Sequence, residues 1–412
     1  MTKEKQHYDI IIVGGGMVGA TLACALGDSA LKVAVIEAYQ SDFAWPEGSH
    51  DIRVSAITHA SQHIFENIGV WKSMQQDGVA AYSKMHVWDA TGQGQIHFDS
   101  IEIGQADLGH IIENRIIQKA VQMRLADFDN IDLLMPVKLQ SLQFNNSGAE
   151  LITSEGLQLT TGLLVGADGA NSWVRKQAEI SLSSWSYQQN AVVCNVSTSE
   201  SHQDACWQQF MPEGPLAFLP LADGQSSIVW STSEEKAQAL STMDEQSFNQ
   251  ELQMAFGSSL GRIRLSSKRG TFPLRLRHAN QYVKEHLALV GDAAHTVHPL
   301  AGQGVNLGLL DAVVLTEEIL RAQEKKRDIG SLSTLRRYER RRKGDNIAML
   351  AAMDAFKRLF SNDNTPLKLL RNSGLNFVDQ LGPLKNQMIK RAMGLVGMGL
   401  NEKLPRLARP GT

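Results

Sequence analysis

The chain has 412 residues, of which 43% are hydrophobic and 20% are charged, and its formal charge is −3. Because single cores stop growing near ~250–300 residues, this length predicts two lobes. The slightly acidic balance argues against a nucleic-acid binder, which would carry a basic surface. Three scattered cysteines exclude a disulfide framework or a cysteine metal site. The few, scattered cysteines predict a protein of the reducing cytoplasm. No stretch reaches the ~20 apolar residues of a membrane span, so any membrane contact is expected to be peripheral.

The first half of the chain opens with a strand, a glycine turn, a helix and a second strand, which together form a βαβ unit. Apolar periodicity separates helices from alternating strands further along. The predicted elements are a strand over 8–13, a helix over 17–27, a strand over 32–36, a helix over 51–75, strands between 76 and 110, a helix over 111–125 and strands over 131–165.

In the second half, aromatic and β-branched residues recur between turns over 181–275, which predicts a mostly antiparallel sheet. Core packing is expected for most of its tryptophans, Trp185, Trp207 and Trp230. The other predicted elements are a helix over 244–256, a buried strand over 287–290, a long helix over 304–320 and broken helices past 331.

The last 62 residues are basic, with ten Lys/Arg and four Asp/Glu after position 350, on a body of net charge −9. One interpretation is an amphipathic surface that lies on anionic lipid or against a partner. The other is a helix packed on the first lobe with a solvated basic face. Both stay open on the residues that suggest them, Met349, Met353, Phe356, Lys357, Arg358, Leu359 and Phe360.

Gly14, Gly16 and Gly19 fill a G-x-G-x-x-G pattern between the first strand and the first helix. The first glycine permits the turn, the second allows backbone to approach a pyrophosphate, and the third packs helix on strand. Glu37 follows Gly16 by 21 positions, where an acid can accept ribose hydroxyls. With strand, helix and acid in register, the pattern predicts dinucleotide binding rather than a plain glycine turn.

Two further acid–glycine turns each follow an apolar strand. Asp168-Gly169 alone is a common turn dipeptide. Asp292, after Gly291, is suited to bind a sugar-like hydroxyl chain. A turn then opens a helix near Gly304, whose free N–H groups suit an anionic ring. No metal-ligand spacing is evident, so His295 and His298 are expected to be packing or hydrogen-bonding residues.

In this order and at these separations the three segments resemble the fingerprints of FAD-dependent aromatic monooxygenases. The run over 291–311 resembles the signature of the ubiquinone-biosynthesis hydroxylases. The resemblance extends to 51–57, 113–115 and 207–221, and so covers nearly the whole chain. Within the family the chain is most similar to the branch acting on 2-octaprenyl-3-methyl-6-methoxy-1,4-benzoquinol, ahead of the branch acting on 2-octaprenylphenol.

The resemblance implies an α/β fold of the p-hydroxybenzoate hydroxylase type. A Rossmann-like FAD-binding domain would carry an inserted, mostly antiparallel β-sheet substrate domain and a C-terminal helical segment. The expected boundaries are 1–75, 105–180 and 276–345 for the FAD domain, 76–104 and 181–275 for the substrate domain, and 346–412 for the basic helical segment.

The same resemblance implies the site residues. Arg53 would lie near the FAD pyrophosphate or ribityl chain, the alternative being an exposed helix arginine. Asn114 and Gln118 are candidate flavin contacts or surface polar residues. The implied catalytic set is Pro299, at the edge of the flavin ring, with Gly302, Gln303 and Gly304. The implied cofactor-binding set is Gly14, Gly16, Val18, Gly19, Glu37, Arg53, Asn114, Gln118, Asp168, Gly291, Asp292, Gly304, Val305 and Asn306, with no metal.

The implied reaction is ring hydroxylation of a polyprenylated phenol or quinol in ubiquinone biosynthesis. NADPH or NADH would reduce bound FAD, and O2 would form a flavin 4a-hydroperoxide that hydroxylates the ring. A single G-x-G-x-x-G leaves the nicotinamide without a Rossmann unit of its own, so its binding is expected to be transient. Other ubiquinone-biosynthesis proteins, a homo-oligomer and contact with the inner face of the cytoplasmic membrane stay open as partners.

Three other functions fit part of the pattern. They are an FAD-dependent hydroxylase or reductase of another aromatic or lipid substrate, a flavin halogenase, and a non-catalytic carrier like the Rab GDP-dissociation inhibitors. The tryptophan motif typical of flavin halogenases is absent from the sequence. The intact acid–glycine turns argue against the carrier.

Overall fold

The computed structural model describes residues 5–46, 48–296 and 304–360, with 379, 382, 385–387, 390 and 393; of 352, 353 and 356–360 it describes the backbone alone. Within this part the strands are β1 (Lys5–Val13), β2 (Val33–Ile36), β3 (Val54–Ile57), β4 (Ala80–Tyr82), β5 (Lys84–Asp89), β6 (Gln95–Asp99), β7 (Gly109–Glu113), β8 (Ile131–Leu134), β9 (Leu139–Asn145), β10 (Gly148–Thr153), β11 (Gln158–Gly166), β12 (Leu182–Thr198), β13 (Ala205–Met211), β14 (Gly214–Pro220), β15 (Ser226–Ser233), β16 (Ile263–Leu265), β17 (Gly270–Ala279), β18 (Val283–Lys284), β19 (Leu287–Leu289) and β20 (His295–Thr296). The α-helices are α1 (Met17–Ala25), α2 (His59–Asn67), α3 (Trp71–Asp77), α4 (Asn114–Arg124), α5 (Trp173–Gln177), α6 (Glu234–Thr242), α7 (Glu245–Phe256), α8 (Gly304–Glu324) and α9 (Leu332–Phe360).

The first sheet is largely parallel and has the strand order β18-β19-β11-β1-β2-β8. Strand β1 pairs in parallel with β2 on one side and β11 on the other. Its residues 10–12 are all isoleucine and fully buried, as expected of a strand covered on both faces. Because parallel strands end at one edge, the turns after β1 and β11 come together there.

The second sheet has nine strands in the main order β20-β17-β12-β15-β14-β13-β5-β6. Helices α6 and α7 cover one of its faces, and their side chains share an apolar cluster with the sheet. Trp230 is 1% exposed in that cluster, which confirms the expected core packing. Trp207 is partly buried against the same cluster. Trp185, which is 58% exposed, is the exception among the three.

The helix predicted over 51–75 begins late and is split. Residues 54–57 form β3, which pairs with β7 in a three-stranded antiparallel sheet, and α2 and α3 follow. The helix predicted over 111–125 likewise begins at Asn114, after β7. A short apolar run fits a buried strand or a helix equally well. Here β3 and β7 pair with each other, and this pairing makes both segments strands.

Two of the described tail residues lie against the connection from β6 to β7. Lys385 is 6% exposed and pairs with Glu102 at 2.8 Å, while Met393 is buried beside Leu108. Of the residues that suggest the amphipathic surface, Met349 is partly buried on α9, whereas the side chains of Met353 and 356–360 lie outside the described part, as do residues 361–378. No helix among the described residues is long and apolar enough to cross a membrane.

Candidate active site

A cavity of about 1120 Å³ lies between the two sheets. Ligand cavities of ~300–1,000 Å³ hold one drug-sized molecule, so this one has room for a dinucleotide and a further ring. Its lining includes most of the residues predicted from sequence, namely Gly14, Gly16, Val18, Glu37, Arg53, Asn114, Gln118, Asp168, Gly291, Asp292, Gly304 and Val305.

The glycine turn between β1 and α1 forms one end of the cavity. Gly14 has a φ of +107°, and a β-carbon there would overlap the carbonyl oxygen of Ala167. A β-carbon on Gly19 would overlap the carbonyl oxygen of Gly14, so Gly19 packs helix against turn without lining the cavity. Gly16 differs, because a β-carbon there would meet no heavy atom within 4 Å. Its backbone therefore faces open space that a ligand group can enter.

Glu37 is held at the end of β2 by backbone donors. Its carboxylate accepts hydrogen bonds from the N–H groups of Gly15 (2.9 Å) and Tyr39 (3.1 Å). Gln122 supports the same turn, since its side-chain amide donates to the carbonyl oxygen of Gly15 while only 4% exposed. The sequence analysis missed Gln122; the available signal was a glutamine next to Val121 in the apolar stripe of α4.

Asp168 lies at the edge of the parallel sheet, directly after β11. Its Oδ2 accepts hydrogen bonds from the N–H groups of Trp173 (2.6 Å) and Val174 (3.0 Å) at the start of α5. Its Oδ1 is buried and has no hydrogen-bond partner among the described residues. A buried carboxylate oxygen without a donor is costly, so the turn is suited to a ligand that brings a hydroxyl or amide donor.

Asp292 offers a second carboxylate without a partner in the described part of the chain. Its side chain is open to the interior of the cavity, while protein encloses the cavity around it. The resulting desolvation raises the pKa of Asp292, against the lowering effect of His295, Arg53 and Arg277. A hydrogen bond donated by a ligand would stabilise the charged form of this carboxylate.

A buried polar cluster under the Gly291 turn fixes the turn in place. Asp311, fully buried on α8, accepts from the Gly291 N–H (3.1 Å) and from Arg342 Nε (2.8 Å), and lies 2.5 Å from His295 Nε2. Burial would raise the pKa of Asp311, but the charges of His295 and Arg342 outweigh it and lower the pKa to about 2. The structure thus confirms His295 as a hydrogen-bonding residue, whereas His298 lies outside the described part.

The start of α8 reaches the cavity through Gly304 and Val305. Asn306, expected to bind the cofactor, uses its side chain differently: Nδ2 donates to the Ala56 carbonyl oxygen (2.8 Å) and Oδ1 accepts from the Thr58 N–H (3.2 Å). The amide is buried, so both its nitrogen and its oxygen need partners. Because those partners are Ala56 in β3 and Thr58 just after it, the two bonds connect α8 to β3. Three expected residues of the adjoining turn, Pro299, Gly302 and Gln303, lie outside the described part.

Arg53 faces the cavity and is exposed there, with its guanidinium 5.5 Å from the ring of Phe272. No carboxylate pairs with it among the described residues. The segment before it is fastened by His50, whose two ring nitrogens lie 2.8 Å from Glu113 and 2.8 Å from Asp223. Glu113 ends β7 and Asp223 lies between β14 and β15, so His50 joins two sheets.

An apolar part of the cavity wall is formed by the nine-stranded sheet together with β3 of the three-stranded sheet. A ring and a hydrocarbon chain would be desolvated against it, in a region that excludes water. Its side chains come from β3, β12, β14, β15 and β17 and are Val54, Ala191, Val193, Leu219, Val229, Phe272 and Leu274.

These residues fit FAD. Open space at Gly16 admits a pyrophosphate, and Arg53 is a nearby cation that pairs with no described carboxylate. Asp168 has a buried oxygen without a donor among the described residues, and Asp292 lines the same cavity, so both can accept hydrogen bonds from sugar hydroxyls.

Comparison with known proteins agrees with this geometry. The family described as FAD binding domain matches residues 7–351. Ubiquinone hydroxylase UbiL of Rhodospirillum rubrum is 38% identical, with 97% of this chain and 92% of that one covered. The 3-demethoxyubiquinol 3-hydroxylase of Escherichia coli is 39% identical, with 95% and 99% covered.

Among solved structures, p-nitrophenol 4-monooxygenase PnpA from Pseudomonas putida matches with a TM-score of 0.77 at 16% identity, covering 95% of this chain and 98% of that one. This likeness concerns the fold, which is that of p-hydroxybenzoate hydroxylase-like flavoproteins. Together with the family match and the two relatives, it places the chain among the FAD-dependent monooxygenases, in the family of the ubiquinone-biosynthesis hydroxylases.

Proposed function

We propose that this enzyme hydroxylates the ring of a polyprenylated phenol or quinol in ubiquinone biosynthesis, with O2 and NADPH or NADH as co-substrates. One observation carries the proposal: a single cavity joins a phosphate-type glycine turn to an apolar wall from the nine-stranded sheet. The first part suits FAD, and the second suits a ring with a hydrocarbon tail. The names of the two relatives supply the substrate class.

In this proposal bound FAD supplies the oxygen chemistry, and the chain supplies placement and a dry pocket. The backbone at Gly16 and the cation of Arg53 would hold the pyrophosphate. Asp168 and Asp292 would accept hydrogen bonds from ribityl or ribose hydroxyls. The N–H groups at the start of α8, near Gly304, would face the negative charge of the reduced ring.

The substrate ring would lie between the start of α8 and the apolar wall. Side chains such as Val193, Leu219 and Phe272 have no proton to exchange, so they exclude water and hold the ring by contact. In a pocket of this kind the hydroxyl of the substrate itself must make its ring electron-rich. This favours phenols and quinols over unsubstituted rings.

For the nicotinamide co-substrate we propose weak and transient binding in the same cavity. The glycine turn after β1 would be occupied by FAD, and the sequence has no second G-x-G-x-x-G. Tight binding of NADPH or NADH to the flavin-free protein would contradict this part of the proposal.

The test is an anaerobic reduction of the FAD-loaded enzyme by NADPH and by NADH, with and without a short-chain demethoxy-quinol. Oxygen is then admitted and the product is examined by mass spectrometry. We expect a product heavier by one oxygen atom, with the mass increase following ¹⁸O2. Reduction that yields only hydrogen peroxide would remove the substrate assignment, and a protein that binds no flavin would favour the non-catalytic carrier.

A variant in the cavity makes the test specific. Gly16→Ala fills the open space that we assign to the pyrophosphate and meets no protein atom, so it should fold normally and bind FAD weakly. Gly344→Ala is the control, because Gly344 lies on α9 outside the cavity lining, has no positive φ and has open space around it. This variant should keep its flavin.

A further inference from the structure

A second cleft, of about 10 Å³, lies between the end of α8 and the start of α9, and cations dominate it. A cleft of this size holds about one water molecule, so a larger anion would lie over it, against the exposed ends of the cations. It is lined by Arg321, Lys325, Arg327 and Arg337, with one carboxylate, Glu318. Because α8 rises ~1.5 Å per residue, this cleft is about 25 Å from the end of the helix that reaches the main cavity. It is therefore separate from the proposed catalytic site.

The one carboxylate in the cleft is already neutralised. Glu318 is 2% exposed and accepts from Arg321 (3.0 Å) and from Arg341 (3.0 Å). Lys325, Arg327 and Arg337 have no carboxylate within 4.0 Å in the described part of the chain. The cleft thus has three cations that form no ion pair with a described carboxylate.

The surrounding surface adds to this charge. Residues 317–343 contain ten Lys/Arg and five Asp/Glu, a net charge of +5 in a chain whose total is −3. Lys326, Arg336 and Arg340 are exposed beside the cleft. The carboxylate of Asp328, in the turn between the helices, accepts from the Gly330 N–H at 2.8 Å. A strongly positive patch on an acidic protein attracts anions selectively.

We propose that the cations around this cleft bind the phosphate of an anionic phospholipid and so hold the enzyme at a membrane surface. A guanidinium group can donate two parallel hydrogen bonds to the oxygens of one phosphate. Lys325, Arg327 and Arg337 form no ion pair with a described carboxylate and can therefore bind such an anion. The choice of a lipid over a free phosphate rests on the proposed function, since a polyprenylated quinol resides in a membrane. The basic tail after residue 350 is not needed for this contact.

The test is co-sedimentation of the FAD-loaded, full-length enzyme with phosphatidylcholine vesicles, with and without phosphatidylglycerol. The variant is Lys325→Gln/Arg327→Gln/Arg337→Gln. The control is Lys72→Gln/Arg262→Gln/Arg264→Gln. It also removes one lysine and two arginines, from exposed positions that are distant in sequence from the cleft residues. Both variants are first checked for flavin content and melting temperature.

We expect the wild type and the control variant to bind only vesicles that contain phosphatidylglycerol, and to release them at high salt. The cleft variant should bind about 100-fold more weakly, because each cation near an anionic surface contributes about fivefold. Equal weakening in both variants would overturn the proposal, as would unchanged binding in the cleft variant, which would point to the tail.

Inorganic phosphate distinguishes the two sources of the ligand. If the wild type ignores all vesicles but binds phosphate, and the cleft variant loses that binding, the cleft is a free-anion site and the lipid assignment is wrong. Turnover of a short-chain, water-soluble quinol should be the same in wild type and cleft variant. If the enzyme hydroxylates the quinol but does not bind vesicles, only the lipid-binding proposal is wrong. If it binds vesicles but forms no hydroxylated product, only the proposed function is wrong.

Discussion

Replacing Asp311 by asparagine should destabilise the enzyme more than any surface substitution. Asp311 is fully buried, and its carboxylate joins the Gly291 turn, His295 and Arg342 in one cluster. Asparagine has nearly the same shape but no charge. It leaves the Arg342 guanidinium, only 2% exposed, without its buried counter-charge.

The size of the effect follows from that stranded charge. Removing one partner of a buried ion pair costs about 3–5 kcal/mol of unfolding free energy. The lowered pKa of Asp311 points the same way, because the folded protein holds the charged carboxylate more strongly than the unfolded chain does. Because the folded pKa is the lower one, this stability is present above pH ~4 and is lost as the pH falls towards 2.

The assay is urea unfolding of the flavin-free protein at neutral pH, followed by tryptophan fluorescence. Arg342→Met and the double variant Asp311→Asn/Arg342→Met complete a mutant cycle. The double variant should recover part of the loss, because the stranded cation is gone. A loss below about 1 kcal/mol for Asp311→Asn, or additive losses in the double variant, would refute the reasoning.

Three further predictions use substitutions elsewhere in the chain. Gly14→Ala should lower the unfolding free energy, because its φ of +107° and the overlap with a neighbouring carbonyl are unfavourable, whereas Gly16→Ala should lower only FAD affinity in a flavin titration. His50→Gln should lower the unfolding free energy most at mildly acidic pH. Burial lowers the pKa of His50, but hydrogen bonds to two carboxylates outweigh that effect and raise the pKa. The stability that charged His50 contributes is therefore present below pH ~6.5 and is lost as the pH rises above the pKa of the folded protein. Equal losses at pH ~6 and ~9 in urea unfolding would contradict this. Trp230→Ala should cost about 3–5 kcal/mol and Trp185→Ala almost nothing, as measured by thermal unfolding, and similar losses for both would be the wrong outcome.

Much of the site could be predicted from short segments of sequence. The sequence spacing of Gly14, Gly16 and Glu37 is the one expected of a strand, a turn, a helix and a second strand in succession. Asp168 and Asp292 each follow an apolar strand and a glycine turn, so their placement at the end of a strand was predictable. The family was recognisable for the same reason, since these segments are local and specific.

Other features depended on which distant segments meet. The run 54–57 is apolar enough for a helix or a strand, and only pairing with β7 made it a strand. Asn306 was expected to contact the cofactor, but the carbonyl of Ala56, 250 positions away, takes its side chain. The place of Gln122 in the apolar stripe of α4 indicates burial, but only the tertiary structure shows that its side chain supports the glycine turn after β1.

The sequence by itself therefore determined the glycine turns, the acids beside them and the family, because backbone freedom and charge are properties of single residues and short spacings. Tertiary structure alone decided that Asp311 is buried under the Gly291 turn, that Arg53 faces the cavity, and that Lys325, Arg327 and Arg337 meet in one cleft. Burial and pairing of polar groups arise between segments far apart in the chain, and no local pattern records them.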